Sequence, residues 1–149
     1  EVHFTFIGRD DMNGKVQSTI RERNLSESVS CVGFQEDVSS WMSVARLLVV
    51  PSLWGEGCPT AVLEAMSHGV PAVGYALDGL PELVRHGQDG LLVPVADTKF
   101  FAMAIIKLLR EPEVANKMSA SSLARSDAEF QLKSCVTKHR DALRLLMKG

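Results

Sequence analysis

The chain has 149 residues, of which 46% are hydrophobic and 23% charged, a composition typical of one globular domain with its own core. Its formal net charge is −2, and aromatic residues are not interleaved with basic ones, so we expect no nucleic-acid partner. No apolar run approaches the length of a membrane span, so we expect neither a membrane-spanning helix nor a signal peptide among these residues.

The cysteines and histidines are spaced too widely to predict a metal site. Cys31, Cys58 and Cys135 are odd in number, which favours reduced thiols and a cytoplasmic protein. The four histidines are scattered, so we expect no metal ligands among them.

Charge is distributed unevenly along the chain. Residues 1–98 hold 6 basic and 13 acidic side chains, whereas residues 99–149 hold 10 basic and 5 acidic ones. A basic helical region is typical of a solvated face, and contact with anionic lipid or another domain is the alternative.

Strands and helices alternate along the predicted chain. β-Branched and apolar runs predict strands over 2–7, 29–33, 47–51, 70–75 and 91–93, with helices over 15–24, 38–45 and 59–68 and a short one ending near 86. Asp97 is expected to cap a helix that ends near residue 109, and Pro112 to begin the next. The predicted core positions of the first of these helices are Phe100, Ala104, Ile105 and Leu108.

The last predicted helix begins after a Ser126–Asp127 cap. Its apolar side is predicted from spacings of three and four residues, at Leu132, Val136, His139, Leu143 and Leu146. The whole alternation predicts an α/β fold with a parallel sheet between helices and no second domain.

The most informative stretch lies between the third strand and the following helix. Gly55 and Gly57 allow the backbone to approach a ligand closely, and Pro59 suits the first turn of a helix. Such a turn directs free backbone N–H groups to the edge of the sheet where phosphate-bearing ligands bind. Glu56 and Glu64 flank the turn with seven residues between them.

Glu64 has two interpretations. It follows Thr60 by one helical turn, so its carboxylate could accept hydrogen bonds from a ribose or sugar diol. Equally, Thr60, Glu64, Ser67 and His68 could be the wet side of an amphipathic helix.

Several common motifs are absent from the sequence. It contains no phosphate-loop motif, no Gly-x-Gly-x-x-Gly after the first strand and no Gly-x-Ser-x-Gly. Cys58 lies near a helix start that would favour its thiolate, but no nearby histidine supports a role as nucleophile.

Five ordered landmarks resemble the donor-binding core of retaining GT-B glycosyltransferases, the group with bacterial lipopolysaccharide, capsule and mannosyl transferases. They are Pro51-Ser52, Glu56-Gly57, Glu64-Ala65-Met66, residues 69–73 and the run from Asp78 to Asp97. Ile7-Gly8 and Val32-Gly33-Phe34 are similar to the same family, so the resemblance covers nearly the whole chain.

The resemblance implies one Rossmann-like half of a GT-B fold and a role for each matching residue. Glu56 would contact the donor sugar as the catalytic acid of the pair, and Glu64 the ribose. Gly57, Cys58, Pro59 and Thr60 would cradle the diphosphate, while Gly8 and Phe34 would lie near the nucleotide. No metal or other cofactor is expected, because basic side chains and helix dipoles stabilise the leaving phosphate in this family.

Two departures from the family pattern qualify these roles. Cys58-Pro59 replaces the aromatic residue and glycine that are common there, and Pro59 removes one backbone donor from the phosphate cradle. The family's catalytic Arg and Lys belong to a unit before the first strand found here. We therefore expect residues 1–149 to be a single C-terminal nucleotide-sugar-binding domain, truncated on its N-terminal side, without the acceptor domain and inactive alone.

The resemblance favours a hexosyltransferase that acts from a UDP-, GDP- or ADP-sugar on a glycan or lipid-linked acceptor. A non-catalytic nucleotide-sugar-binding module and a nucleotide-sugar epimerase of similar architecture are the alternatives. The expected partners are the nucleotide sugar and the missing N-terminal domain. Peripheral contact of the full-length enzyme with the inner face of the membrane is compatible with this interpretation.

Overall fold

A computed structural model of the chain describes residues 2–54 and 57–147. These residues form two compact units, one that extends to Val38 and one that begins at Ser39.

The first unit is a pair of parallel strands joined through a helix. It contains β1 (Phe4–Phe6), α1 (Lys15–Glu22) and β2 (Val29–Cys31), with Phe4 opposite Val29 and Phe6 opposite Cys31. The Asp10 carboxylate accepts hydrogen bonds from the backbone N–H groups of Met12 (3.1 Å) and Gly14 (2.6 Å). These bonds fix the loop that leads into α1.

The second unit contains a three-stranded parallel sheet in the order β3-β4-β5. From α2, which begins at the boundary, its elements are α2 (Val38–Val44), β3 (Leu48–Val50), α3 (Thr60–Ser67), β4 (Ala72–Tyr75), α4 (Leu80–Leu83), β5 (Gly90–Val93), α5 (Thr98–Arg110), α6 (Pro112–Arg125), a π-helical segment (Ser126–Phe130) and α7 (Leu132–Leu146).

The central strand β4 is buried along its whole length, because helices cover both of its faces. Val73 and Tyr75 point to one face, where they join the buried side chains of α5 and α6. Ala72 packs on the other face with residues of α3 and α4. Successive residues of a strand alternate between faces, so a short apolar strand with no polar side is what this position requires.

Helix α5 shows the predicted cap and a different core face. Asp97 accepts a hydrogen bond from the N–H of Phe100 (2.9 Å), which confirms it as the N-cap. Phe100 was wrongly predicted in the core, since its side chain is 53% exposed and Phe101 is buried instead. Phe101 has the same helical phase as Ala104 and Leu108, and its ring centroid lies 4.7 Å from that of Tyr75.

The predicted start of the last helix is also wrong. Ser126 and Asp127 begin the π-helical segment, and α7 starts at Leu132 with Gln131 at its N-cap position. The predicted apolar side exists, but none of the residues of α7 is buried.

The predicted α/β fold with parallel strands and flanking helices is confirmed. Predicted element ends differ from the observed ones by a few residues, and the described strands pair as two sheets, β1-β2 and β3-β4-β5. In the part of the chain that the structure describes, no helix is both long and apolar enough to cross a membrane.

Replacing Gly90 with alanine tests the close approach of β5 to β4. A Cβ at this position would overlap the backbone carbonyl oxygen of Ala72, which cannot turn aside as a side chain can. We expect Gly90→Ala to lower the free energy of unfolding by about 1–3 kcal/mol, measured by urea denaturation.

Gly57→Ala is the matched control for that substitution. A Cβ at Gly57 meets no atom within 4 Å, so its unfolding midpoint should stay close to that of the wild type. Equal stability of the two variants would contradict the tight packing of Gly90.

Candidate functional site

The start of α3 lies beyond the carboxyl end of β3, as the sequence predicted. Pro59 is the N-cap residue rather than part of the first turn, and its carbonyl accepts a hydrogen bond from the N–H of Val62 (3.0 Å). The helix therefore begins at Thr60, and among its first three N–H groups that of Val62 is already bonded to Pro59. Gly57, Cys58 and Thr60 are all exposed, so the backbone here is accessible to a ligand.

The carboxylate of Glu64 lies on the solvent side of α3. Val62, Ala65 and Met66 are buried on the opposite side, and Thr60 is exposed with Glu64. This arrangement matches the predicted polar face.

Hydrogen bonds at the end of α3 hold the backbone of Glu64 in place. Its carbonyl oxygen accepts from the Ser67 hydroxyl (2.7 Å) and lies 2.9 Å from His68 Nδ1. The other ring nitrogen of His68 is 2.7 Å from the Ser39 hydroxyl of α2. The helix is thus anchored to α2, while the side chain of Glu64 faces solvent.

Glu56, the predicted catalytic acid, lies outside the described residues, as does Gly55. Among the predicted site residues of the second unit, the structure describes Gly57, Cys58, Pro59, Thr60 and Glu64, which lie on α3 and directly before it.

A small cleft at the carboxyl ends of β3 and β4 was not predicted. Its lining includes Ser52, Trp54 and Asp78. Trp54 is 79% exposed, and Asp78 has a φ of 49°, a left-handed backbone conformation that is unusual for a residue other than glycine. Ser52 and Asp78 belong to the landmarks of the sequence resemblance, but sequence patterns report neither the backbone conformation of Asp78 nor the exposure of Trp54.

Gly8 and Phe34, the remaining predicted site residues, lie in the first unit. They follow the carboxyl ends of the neighbouring strands β1 and β2, and the N–H of Gly8 donates to the carbonyl of Gly33 (2.9 Å). The ring of Phe34 is 61% exposed, and the guanidinium carbon of Arg9 lies 5.4 Å from its centroid.

A buried ion cluster around Asp89 supports the second unit. The Asp89 carboxylate accepts hydrogen bonds from Arg85 (2.7 Å to each oxygen), from the Ser121 hydroxyl (2.8 Å) and from Arg125 (3.2 Å). Arg125 also donates to the carbonyls of Leu83 (2.7 Å) and Glu82 (3.0 Å), which ties the end of α4 to α6.

The cluster keeps Asp89 ionised although it is only 1% exposed. Burial by itself would raise the pKa of Asp89, but hydrogen bonds from Arg85, Ser121 and Arg125 lower it to about 2. In the sequence analysis, Asp89 is only one position in the run from Asp78 to Asp97. Arg85 lies four residues before it, but nothing in the sequence pattern indicates the contribution of Ser121 and Arg125.

The described residues hold no group of three or more histidine, cysteine or acidic side chains that could bind a metal ion.

Comparison with known proteins finds a family model, "Glycosyl transferases group 1", that matches residues 1–111. The amylovoran biosynthesis glycosyltransferase AmsK of Erwinia amylovora is 30% identical over 85% of this chain and 33% of its own length. An Escherichia coli enzyme, UDP-Gal:alpha-D-GlcNAc-diphosphoundecaprenol alpha-1,3-galactosyltransferase, is 29% identical over 93% of this chain and 35% of its own. The chain thus spans about a third of the length of these two relatives.

Solved structures share the fold. Anabaena Alr3699/HepE in complex with UDP superposes with a TM-score of 0.89 at 21% identity, covering 96% of this chain and 41% of that one. Sucrose-phosphate synthase from Thermosynechococcus elongatus gives a TM-score of 0.84 at 27% identity, over 97% of this chain and 38% of the other.

The lowered pKa of Asp89 predicts a stability that depends on pH. A carboxyl group with a lowered pKa in the folded state stabilises the protein above its unfolded pKa, and this contribution is lost as the pH falls through the folded value. We expect Asp89→Asn to cost about 3 kcal/mol of unfolding free energy at pH 7, because it leaves Arg125 without its buried charge partner. The difference from wild type should shrink by about 2 kcal/mol between about pH 5 and pH 2, measured by urea denaturation at each pH.

Asp11→Asn, at an exposed position of the first unit, is the control and should follow the wild-type pH profile. A stability difference for Asp89→Asn that stays constant with pH would contradict the assigned ionisation.

Proposed function

The chain belongs to the glycosyl transferases group 1 family, and we propose that it is the donor-binding part of a retaining glycosyltransferase. The family predicted from the sequence landmarks is thereby confirmed, together with its GT-B type of fold. In our proposal the whole protein transfers a hexose from a nucleotide sugar to a glycan or lipid-linked acceptor.

The placement of Glu64 supports this proposal most directly. Its carboxylate is exposed on the same side of α3 as Thr60, one turn from a helix start with accessible backbone donors. A diphosphate bound to the first-turn N–H groups would bring the adjoining ribose toward this face, where the carboxylate can accept hydrogen bonds from both hydroxyls. Glu56 keeps its proposed role as the sugar-contacting acid.

The names of the relatives agree with a nucleotide-sugar donor. The E. coli relative is a galactosyltransferase with UDP-Gal as donor and alpha-D-GlcNAc-diphosphoundecaprenol as acceptor, and the AmsK relative acts in amylovoran biosynthesis. The Anabaena protein was solved with UDP and with UDP-glucose. These names favour UDP among the three nucleotides and support a role in cell-envelope polysaccharide synthesis.

Glu64→Ala tests the ribose contact. We expect the full-length protein to lose about 10- to 100-fold in affinity for its nucleotide, because two hydrogen bonds to a charged acceptor are removed. Calorimetric titration with UDP, GDP and ADP would measure the loss and identify the preferred base.

Glu27→Ala, which removes an exposed acid from the first unit, is the control and should bind the nucleotide like the wild type. Unchanged affinity in Glu64→Ala would contradict the ribose contact. Failure of the wild type to bind any of the three nucleotides would contradict the proposed function as a whole.

The isolated 149-residue chain should transfer no sugar. The resemblance assigns the catalytic Arg and Lys and the acceptor site to regions that precede the first strand. The isolated chain is therefore expected to bind a donor without completing the reaction. A radiolabelled-sugar transfer assay with the purified chain, run beside the full-length protein, would measure this. Transfer by the chain alone would contradict the prediction.

A further inference from the structure

Glu64 lies in the last turn of α3, where the carbonyl groups of a helix have no intrahelical partner. The first backbone N–H groups beyond the helix serve other residues. That of His68 donates to the carbonyl of Ala65 (3.0 Å), and that of Gly69 donates to the carbonyl of Met66 (3.0 Å). The carbonyl of Glu64 therefore depends on donors from side chains.

Two neighbouring side chains reach this carbonyl. The Ser67 hydroxyl donates to it at 2.7 Å, and Nδ1 of the His68 ring lies 2.9 Å from it. A carbonyl oxygen has two lone pairs and only accepts hydrogen bonds, so it can receive both. Nδ1 of His68 must consequently carry a ring proton and donate it to Glu64.

Ser39 of α2 holds the other side of the same ring. When the proton of the neutral ring is on Nδ1, Nε2 is an acceptor. The Ser39 hydroxyl lies 2.7 Å from Nε2 and donates to it. The His68 ring is thus fixed between two helices, and a rotation of the ring would break the bonds at both nitrogens.

This chain of hydrogen bonds ends at the backbone of the residue proposed to contact the ribose. The side chain of Glu64 is exposed, so the position of its carboxylate depends on the position of its own backbone. The last turn of a helix frays readily, and a contact to a diol requires a carboxylate at a fixed place. A donor that holds the carbonyl of Glu64 therefore also limits the movement of its carboxylate.

We propose that His68 is a positioning residue for the ribose contact. Its Nδ1 donates to the backbone of Glu64, and Ser39 keeps the ring in the orientation that allows this. The inference rests on the proposed function, because it assumes that Glu64 binds the ribose. It adds to the donor site a supporting residue that itself touches no ligand, and it makes α2 part of that support.

The test compares two probes, UDP and its dideoxy form, which lacks both ribose hydroxyls, by calorimetric titration of the full-length protein. His68→Ala should weaken UDP about 3- to 10-fold, because Glu64 loses one of its two backbone supports. It should change the affinity for dideoxy-UDP little, because that probe offers no hydroxyl to the Glu64 carboxylate.

His68→Asn tests the assigned donor. Its amide N–H takes the place of Nδ1 and should restore most of the affinity for UDP. Ser39→Ala leaves the donor but frees the ring, so it should cause a smaller loss that is again confined to UDP.

His3→Ala is the matched control. His3 Nε2 lies 3.0 Å from the Ser30 hydroxyl, which is a similar contact in the first unit, and its loss should leave both affinities at the wild-type values.

Four outcomes would overturn the proposal. Equal losses of both probes in His68→Ala would show a general effect on α3, and unchanged UDP affinity would show that the ring supports nothing at the site. An Asn variant as weak as the Ala variant would contradict the donor role of Nδ1. Equal binding of both probes by the wild type would refute the ribose contact and this inference with it. A wild type that binds no nucleotide would instead be a failure of the proposed function.

Discussion

The second unit depends on the close packing of the central strand β4 between its two neighbours. Gly74 lies so close to Leu80 and Val50 that a side chain there would displace that of Leu80, and Gly90 lies directly against the backbone of Ala72. Both glycines allow neighbouring elements to approach β4 more closely than any larger residue would permit. Helices cover both faces of the sheet. Polar side chains that contact a ligand must therefore lie at the ends of the strands rather than on the sheet itself.

The short helix α4 also has to be anchored, and the buried carboxylate of Asp89 contributes to this. A four-residue helix has little stability of its own, and its terminal carbonyls need donors. Arg125 supplies them from α6, while Asp89 holds Arg125 and Arg85 in position. The carboxylate remains charged because three side chains donate hydrogen bonds to it, and these bonds offset the cost of its desolvation. The resulting cluster connects α4 rigidly to α6.

The sequence predicted what depends on local pattern. Strand and helix order, the Asp97 cap and the polar face of α3 follow from periodicity and capping, and the structure contains all three. Errors arose where tertiary packing decides. The choice between Phe100 and Phe101 depends on which ring reaches Tyr75, and the π-helical segment at Ser126 depends on how α6 and α7 are joined. The ion cluster of Asp89 combines residues of separate elements, so no pattern of spacing could reveal it.

The same physical rule places candidate ligand contacts in each unit. Parallel strands align their carboxyl ends, so the loops that follow them lie side by side. In the second unit this gives the turn before α3, which suits a diphosphate because backbone donors are accessible there. In the first unit it gives an exposed ring and a guanidinium, those of Phe34 and Arg9, beyond the ends of β1 and β2. In each unit these exposed groups follow the strands, so none of them has to be buried inside a sheet.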